Sequence, residues 1–304
     1  MDSDDPYAPL VLDLDGEGSG GFYRVRNRPD ELNRGAAINR GEKFQVVADI
    51  VEVTHGSLSM EPNGTAGVPG VLIVADFQFV PKQGRRYKGA TIKFTFTSDD
   101  PLVEVSVERI GPSGRWSKYP TTRNDASSWK LSPSVGAAGV DVSLGDVSNA
   151  KEQTKTFHTF VTGTIRMETR DEGGKDTAQW VLEENEAQKT GIARFFRVAI
   201  LAKLDVSPER KTPEPPQFQA TVEAITTVPF MSRGWAEEKI EVVRKKVPVD
   251  DPIKFKCGVN RESGLFKFDK KSLRGEDLTK IMAMNLYHSF EDLNKATRES
   301  GSGL

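Results

Sequence analysis

Two-residue periodicity, recurring from Phe44 to about Val247, constrains this chain more than any other feature. In 91-TIKFTFT-97, Ile92, Phe94 and Phe96 alternate with Thr91, Lys93, Thr95 and Thr97, and in 102-LVEVSVER-109, Val103, Val105 and Val107 alternate with Glu104, Ser106 and Glu108. Successive side chains of a strand point to opposite faces, so each stretch has one buried and one wet side. Stretches of this kind fold as antiparallel sheets packed on one another. The expected fold class is therefore mainly β, an antiparallel β-sandwich, either single or built of two packed or duplicated halves, with an amphipathic helix at the C-terminus.

The first strand series is read at 44–53, 71–80, 90–97 and 102–110, with 81-PKQGRRYKG-89 as a hairpin loop. A second series runs through 154–168, 178–184, 191–204, 217–228 and 239–247. Within it, Phe196, Val198, Ile200 and Leu204 share one face and Phe195, Ala199 and Leu201 the other, which suits a central strand buried on both sides, although so short an apolar run also fits a buried helix. Residues 1–35, rich in Asp, Gly, Arg and Asn, read as a flexible arm. The division that follows is 1–35 arm, 36–112 first β half, 113–150 long loop or linker, 151–258 second β half, and 259–304 tether and C-terminal helix. Trp116 and Trp129 favour docking of the long loop on a sheet, because large aromatics gain most from burial.

From Gly275 the pattern changes. Leu278, Met282, Leu286, Phe290 and Leu293 recur at spacings of four and three, which predicts an amphipathic helix of about four to five turns. Such a stripe must be covered, and the polar segment 258–275 reads as a tether that lets the helix reach a protein partner or a second copy.

Candidate chemistry is sparse. The 10-LVLDLDGEG-18 segment resembles the nucleophile strand of haloacid-dehalogenase-type phosphatases, with Asp13 as nucleophile and Asp15 as acid, but that fold needs alternating βαβ units that the chain lacks. Asp13, Asp15 and Glu17 are oxygen donors of the kind calcium takes, without the later bidentate Glu of an EF-hand loop. The pairs Asp99-Asp100 and Asp250-Asp251 each precede a proline at a strand end, which is ordinary turn chemistry, and loops at one rim could also bring them together to hold calcium or to act as acid and base on glycosides. His55, His158 and His288 are too dispersed for a zinc site, and Cys257 has no partner for a disulfide. No cofactor motif is present, since the glycines at 16, 18 and 21 are not followed by a helix.

Composition excludes some function classes. Lys and Arg total 42 against 44 Asp and Glu, so no overall field attracts nucleic acid, and only the hairpin loop with Lys82, Arg85, Arg86 and Lys88 around Tyr87 resembles a basic stacking surface. No apolar run reaches about 18 residues, the length of a spanning helix. The acidic N-terminus is unlike an export signal, and a lone cysteine suits a reducing, cytoplasmic setting. The leading expectation is a non-catalytic protein of recognition or self-assembly, acting through Leu278, Met282, Leu286, Phe290 and Leu293. The alternatives are a carbohydrate-active hydrolase using loop carboxylates, and a calcium- or nucleic-acid-binding β module.

Overall fold

The computed structural model of the chain describes residues 10–12, 24–41, 44–59, 67–82, 85–127, 151–229 and 250–285. Among these residues thirteen strands form two antiparallel sheets packed face to face, the sandwich-like arrangement that the alternation predicts. The first sheet contains β1 (Leu10–Leu12), β11 (Gln217–Val228), β5 (Gly89–Thr97), β9 (Thr177–Glu183), β8 (Lys151–Arg166) and β7 (Gly114–Ser127) in that order, with β12 (Ile253–Lys256) sharing the β11 edge with β1. The second contains β13 (Ala283–Asn285), β10 (Phe195–Val206), β4 (Pro69–Pro81), β3 (Phe44–Ser57) and β2 (Ala36–Arg40), with β6 (Val103–Gly111) beside β13 on the β10 edge. Strands from both halves of the sequence occur in each sheet: β10 pairs with β4 and β6, and β11 pairs with β5. The two strand series thus interleave rather than forming separate sandwiches.

The core lies where the wet and dry faces predict it. Ile92, Phe94 and Phe96 of β5 are buried while the residues between them are half-exposed. Phe77 of β4 meets Phe94 across the interior edge-to-face, ring centres 6.0 Å apart, a geometry aromatic pairs prefer. Strand β10 is buried on both faces. Its inner face joins the main core through Phe196, Val198 and Ile200, and its outer face joins a second cluster through Ala199 and Leu201.

What covers that outer face corrects the reading of the C-terminus. Residues 258–275 are no free tether but a strap across the second sheet, carrying Phe266, Phe268 and Leu273 onto Leu58, Leu72, Val74, Ala199 and Leu201. The helix that follows, α1, has only four residues, Leu278–Ile281, capped by Asp277, whose carboxylate accepts from Thr279 N. Met282 is extended, and Ala283–Asn285 then pair with Phe195–Arg197 as β13. An open sheet edge offers that backbone a ladder that outweighs the local helical period. Leu278 and Ile281 are buried within the same chain, and Leu286, Phe290 and Leu293 lie outside the described residues.

Two further expectations change. Residues 113–150 are in part strand: β7 and β8 form a long hairpin, and Trp116 at its base is 37% exposed instead of docked. In the N-terminal arm, residues 24–34 are pinned to residues 250–252. Val25 N donates to Asp250, Asn27 N to Asp251, and Arg34 to Asp251 O and Asn27 Oδ1, while Leu10–Leu12 pair with β11. No helix among the described residues is long and apolar enough to cross a membrane.

Candidate functional site

The rim carboxylates are occupied with structural work. Asp100 Oδ2 accepts from Arg210 Nε at 2.8 Å and Oδ1 from Leu102 N at 3.0 Å, and Arg210 first, then the backbone bond, holds its carboxyl below the usual range. Asp251 is lowered in the same direction, chiefly by the bond from Asn27 N. Its neighbour Asp250 accepts from Val25 N and Arg40. A glycosidase acid must hold its proton near neutral pH, which requires a shift the other way. The two pairs also serve different segments, one residues 210–219 and the other the arm at 24–40. Asp99, Asp100, Arg210, Gln219 and Lys254 line a shallow cleft of about 210 Å³ at the first pair.

The remaining candidates separate in the same way. Asp13, Asp15, Glu17 and His288 lie outside the described residues, and among those described no three His, Cys, Asp or Glu side chains converge as a metal site. Tyr87, the stacking candidate of the basic loop, is a core residue packed edge-on against Phe44 and Phe79 at 5.3 and 5.6 Å. It offers no face to a base. Arg86 beside it pairs with Glu184 at 2.8 Å, and Arg85 lies 5.4 Å over the Phe44 ring. Cys257 is half-buried, and burial pushes its thiol up, away from nucleophilic reactivity.

Two features that sequence reasoning missed are more distinctive. The first is a charged row under the strap. Register places Asp49, Asp76 and Arg197 side by side across β3, β4 and β10. Arg197 Nε and Nη2 donate to the two oxygens of Asp76 at 2.6 and 2.7 Å, and its guanidinium lies over Phe195 and Phe266, 5.5 and 5.3 Å from their centres. Nearby, buried Glu52 accepts from Ser263 N and Oγ. The strap thus closes over charges as well as over the apolar cluster.

The second is the β7–β8 hairpin. The strands pair at twelve positions, with an irregularity between Lys118 and Thr121, yet β9 backs β8 only from Phe160 to Arg166. Beyond Thr159 the hairpin is a two-stranded ribbon. Neither the outer side of β7 nor the second side of β8 from Lys151 to Thr159 is paired by a described strand. Two strands alone are marginally stable in water, and each open edge is a row of unused donors and acceptors.

Comparison with known proteins adds no identity. No family model and no curated protein matches the chain. Among solved structures the chain is similar to Clostridium perfringens delta-toxin at 12% identity, over 66% of this chain and 91% of that one, with a TM-score of 0.26, a superposition that carries no inference about architecture or activity.

Proposed function

We propose that this protein works by self-association, not catalysis, and that the β7–β8 ribbon is the surface it uses. The observation that carries this reading is the ribbon's outer edge, which no described strand pairs and which continues for seven paired residues, Thr121–Ser127, past the irregularity and Pro120. Proline and irregularities blunt an edge, so the segment beyond them is the part free to add a strand. A second copy suits it by charge. An antiparallel pairing of Thr121–Ser127 with itself, centred on Asn124, sets Arg123 of each copy opposite Asp125 of the other, and opposite charges facing across a ladder are favourable. The two-fold symmetry of that arrangement is also the commonest in soluble assemblies. The single, half-buried Cys257 supports a reducing cytoplasmic setting for such a protein.

Light scattering of the full chain across a concentration series tests the reading. The wild-type chain is expected to dimerise. Arg123→Asp, which faces like charges twice per dimer, weakens association about tenfold, and Arg123→Asp with Asp125→Arg restores it, since two pair terms together amount to about 1.4 kcal/mol. A wild-type chain that stays monomeric at tens of micromolar, or a double variant as weak as the single, sinks the proposal.

A further inference from the structure

We infer that His55 is an acid-operated latch for the C-terminal strap: protonating its ring releases residues 259–281 from the second sheet while the sandwich itself stays folded.

The geometry begins with an incomplete edge. Strand β2 covers β3 only between Val46 and Asp49. Past the bulge between Ile50 and Glu52, the side of β3 facing away from β4 is taken by the strap. Val53 N donates to Arg261 O and Arg261 N to Val53 O, both at 2.9 Å. His55 N donates to Asn260 Oδ1 at 2.8 Å and Ser57 N to Lys270 O at 2.8 Å. Residues 53, 55 and 57 all direct their amides the same way, as alternate residues of a strand must. The approach at the last of these is close enough to require glycine, because a Cβ on Gly56 would stand 2.2 Å from Lys270 O. The strap is therefore the substitute partner strand for this end of β3.

The His55 ring faces the opposite way, into the sandwich. It is 9% exposed, sits edge-on to Phe218 at 6.2 Å, and neither nitrogen has a hydrogen-bond partner. The strands packed against it bring Val71 of β4 opposite in register and Phe218 of β11, itself stacked on Phe255 of β12, none of them charged. Of the charged residues at this end of β3 and in the strap, Glu52 lies on the outer side of β3, opposite Val74, and Arg261, Glu262 and Lys270 belong to the strap. Burial alone pulls the ring down to about 4. Among the described residues an imidazolium here finds no acceptor and no counter-charge, and outward movement of the end of β3 carries it to water. That movement breaks the bonds at Val53, His55 and Ser57 that hold the strap. The residues around the ring, Val71, Phe218 and Phe255, belong to the main core, while the apolar residues that the strap covers form a second cluster.

Hydrogen exchange of the full chain, followed by mass spectrometry at pH 7.5 and 5.0 and corrected for the intrinsic rate, tests the latch. A ring that titrates near 6.5 when released and near 4 in place raises the opening constant about 30-fold over that interval. Peptides from 259–281 are expected to lose protection by that factor while peptides from β5 keep theirs. Asp49 and Asp76 beneath the strap hold protons more readily than free carboxyls, which favours the closed strap as pH falls and so opposes the effect of His55; His55→Phe is therefore the control and is expected to lose the acid-induced opening, with His55→Gln as a second variant should Phe fail to fold. Protection that does not change with pH, a response that survives in the variants, or strap and β5 opening together each overturn the inference.

Discussion

Replacing Arg197 with Met is expected to destabilise the fold by about 3–5 kcal/mol at pH 7.5, the cost of leaving a buried carboxylate without its cation. Arg197 has no exposed surface and Asp76 is 2% exposed, with two hydrogen bonds joining them. Even so, Asp76 holds its proton more tightly than a free carboxyl, because burial outweighs the hydrogen bond and charge of Arg197. The pair is therefore costly to break but is not a net source of stability, and Asp76→Leu combined with Arg197→Met is expected to recover most of the loss. The pH dependence follows from the sign. A carboxyl whose folded pKa lies above its unfolded one is disfavoured when charged, so its penalty is present at neutral pH and falls as pH drops through the folded value. The difference between Arg197→Met and wild type in urea denaturation should therefore shrink at pH 5. A single variant within 1 kcal/mol of wild type at both pH values would mean that the row under the strap is hydrated, not buried.

The strands were legible because period two is a local signal, and Ile92, Phe94, Phe96, Val103 and Val105 all turn inward as the alternation requires. The sites were less legible because each depends on something non-local. Counting alternate residues from Phe44 puts Val46, Ala48 and Ile50 inside and His55 outside, but the bulge between Ile50 and Glu52 reverses the parity, so Val53 and His55 face inward. Arg197 did carry a visible signal, a charge among Phe195, Ala199 and Leu201, and Asp76 carries the same signal within 71-VLIVADFQFV-80. That they meet depends on the register between β4 and β10, which no local pattern fixes. The tail misleads for the same reason. Leu278 and Met282 fit a helical period, but the free end of β10 captures the next three residues. Trp116 and Tyr87 exchange roles: the tryptophan expected to dock is exposed, and the tyrosine of a charged loop fills the core.

Trp180→Ala is expected to cost about 3–5 kcal/mol, the range for removing a fully buried large aromatic. Trp180 has no exposed surface, meets Phe94 perpendicularly at 6.3 Å, and its Nε1 donates to Pro112 O at 2.9 Å. It is thus a tie between β9 and the turn joining β6 to β7. The strand beside it is cut away to make room. Gly163 is opposite Trp180 in register, and a Cβ there would stand 2.0 Å from Pro112 O and 3.1 Å from the indole Cδ1. Because the first of those contacts is with backbone, Gly163→Ala cannot be relieved by a side-chain rotation and is expected to cost about 1–3 kcal/mol by overpacking. Trp180→Phe separates volume from hydrogen bonding, since it keeps most of the ring but leaves the Pro112 carbonyl without its donor, a loss of about 1–3 kcal/mol. Urea denaturation with a common m-value ranks the three. The same tie sets the base of the β7–β8 ribbon, because Pro112 leads directly into Gly114 and Gly163 belongs to β8. If the proposed ribbon dimer forms, Trp180→Phe should therefore weaken it as well as lower stability, whereas Arg123→Asp should weaken the association alone. If Trp180→Ala lost less than 1 kcal/mol, this end of the sandwich would not be closed by the indole, and the ribbon would need another foundation.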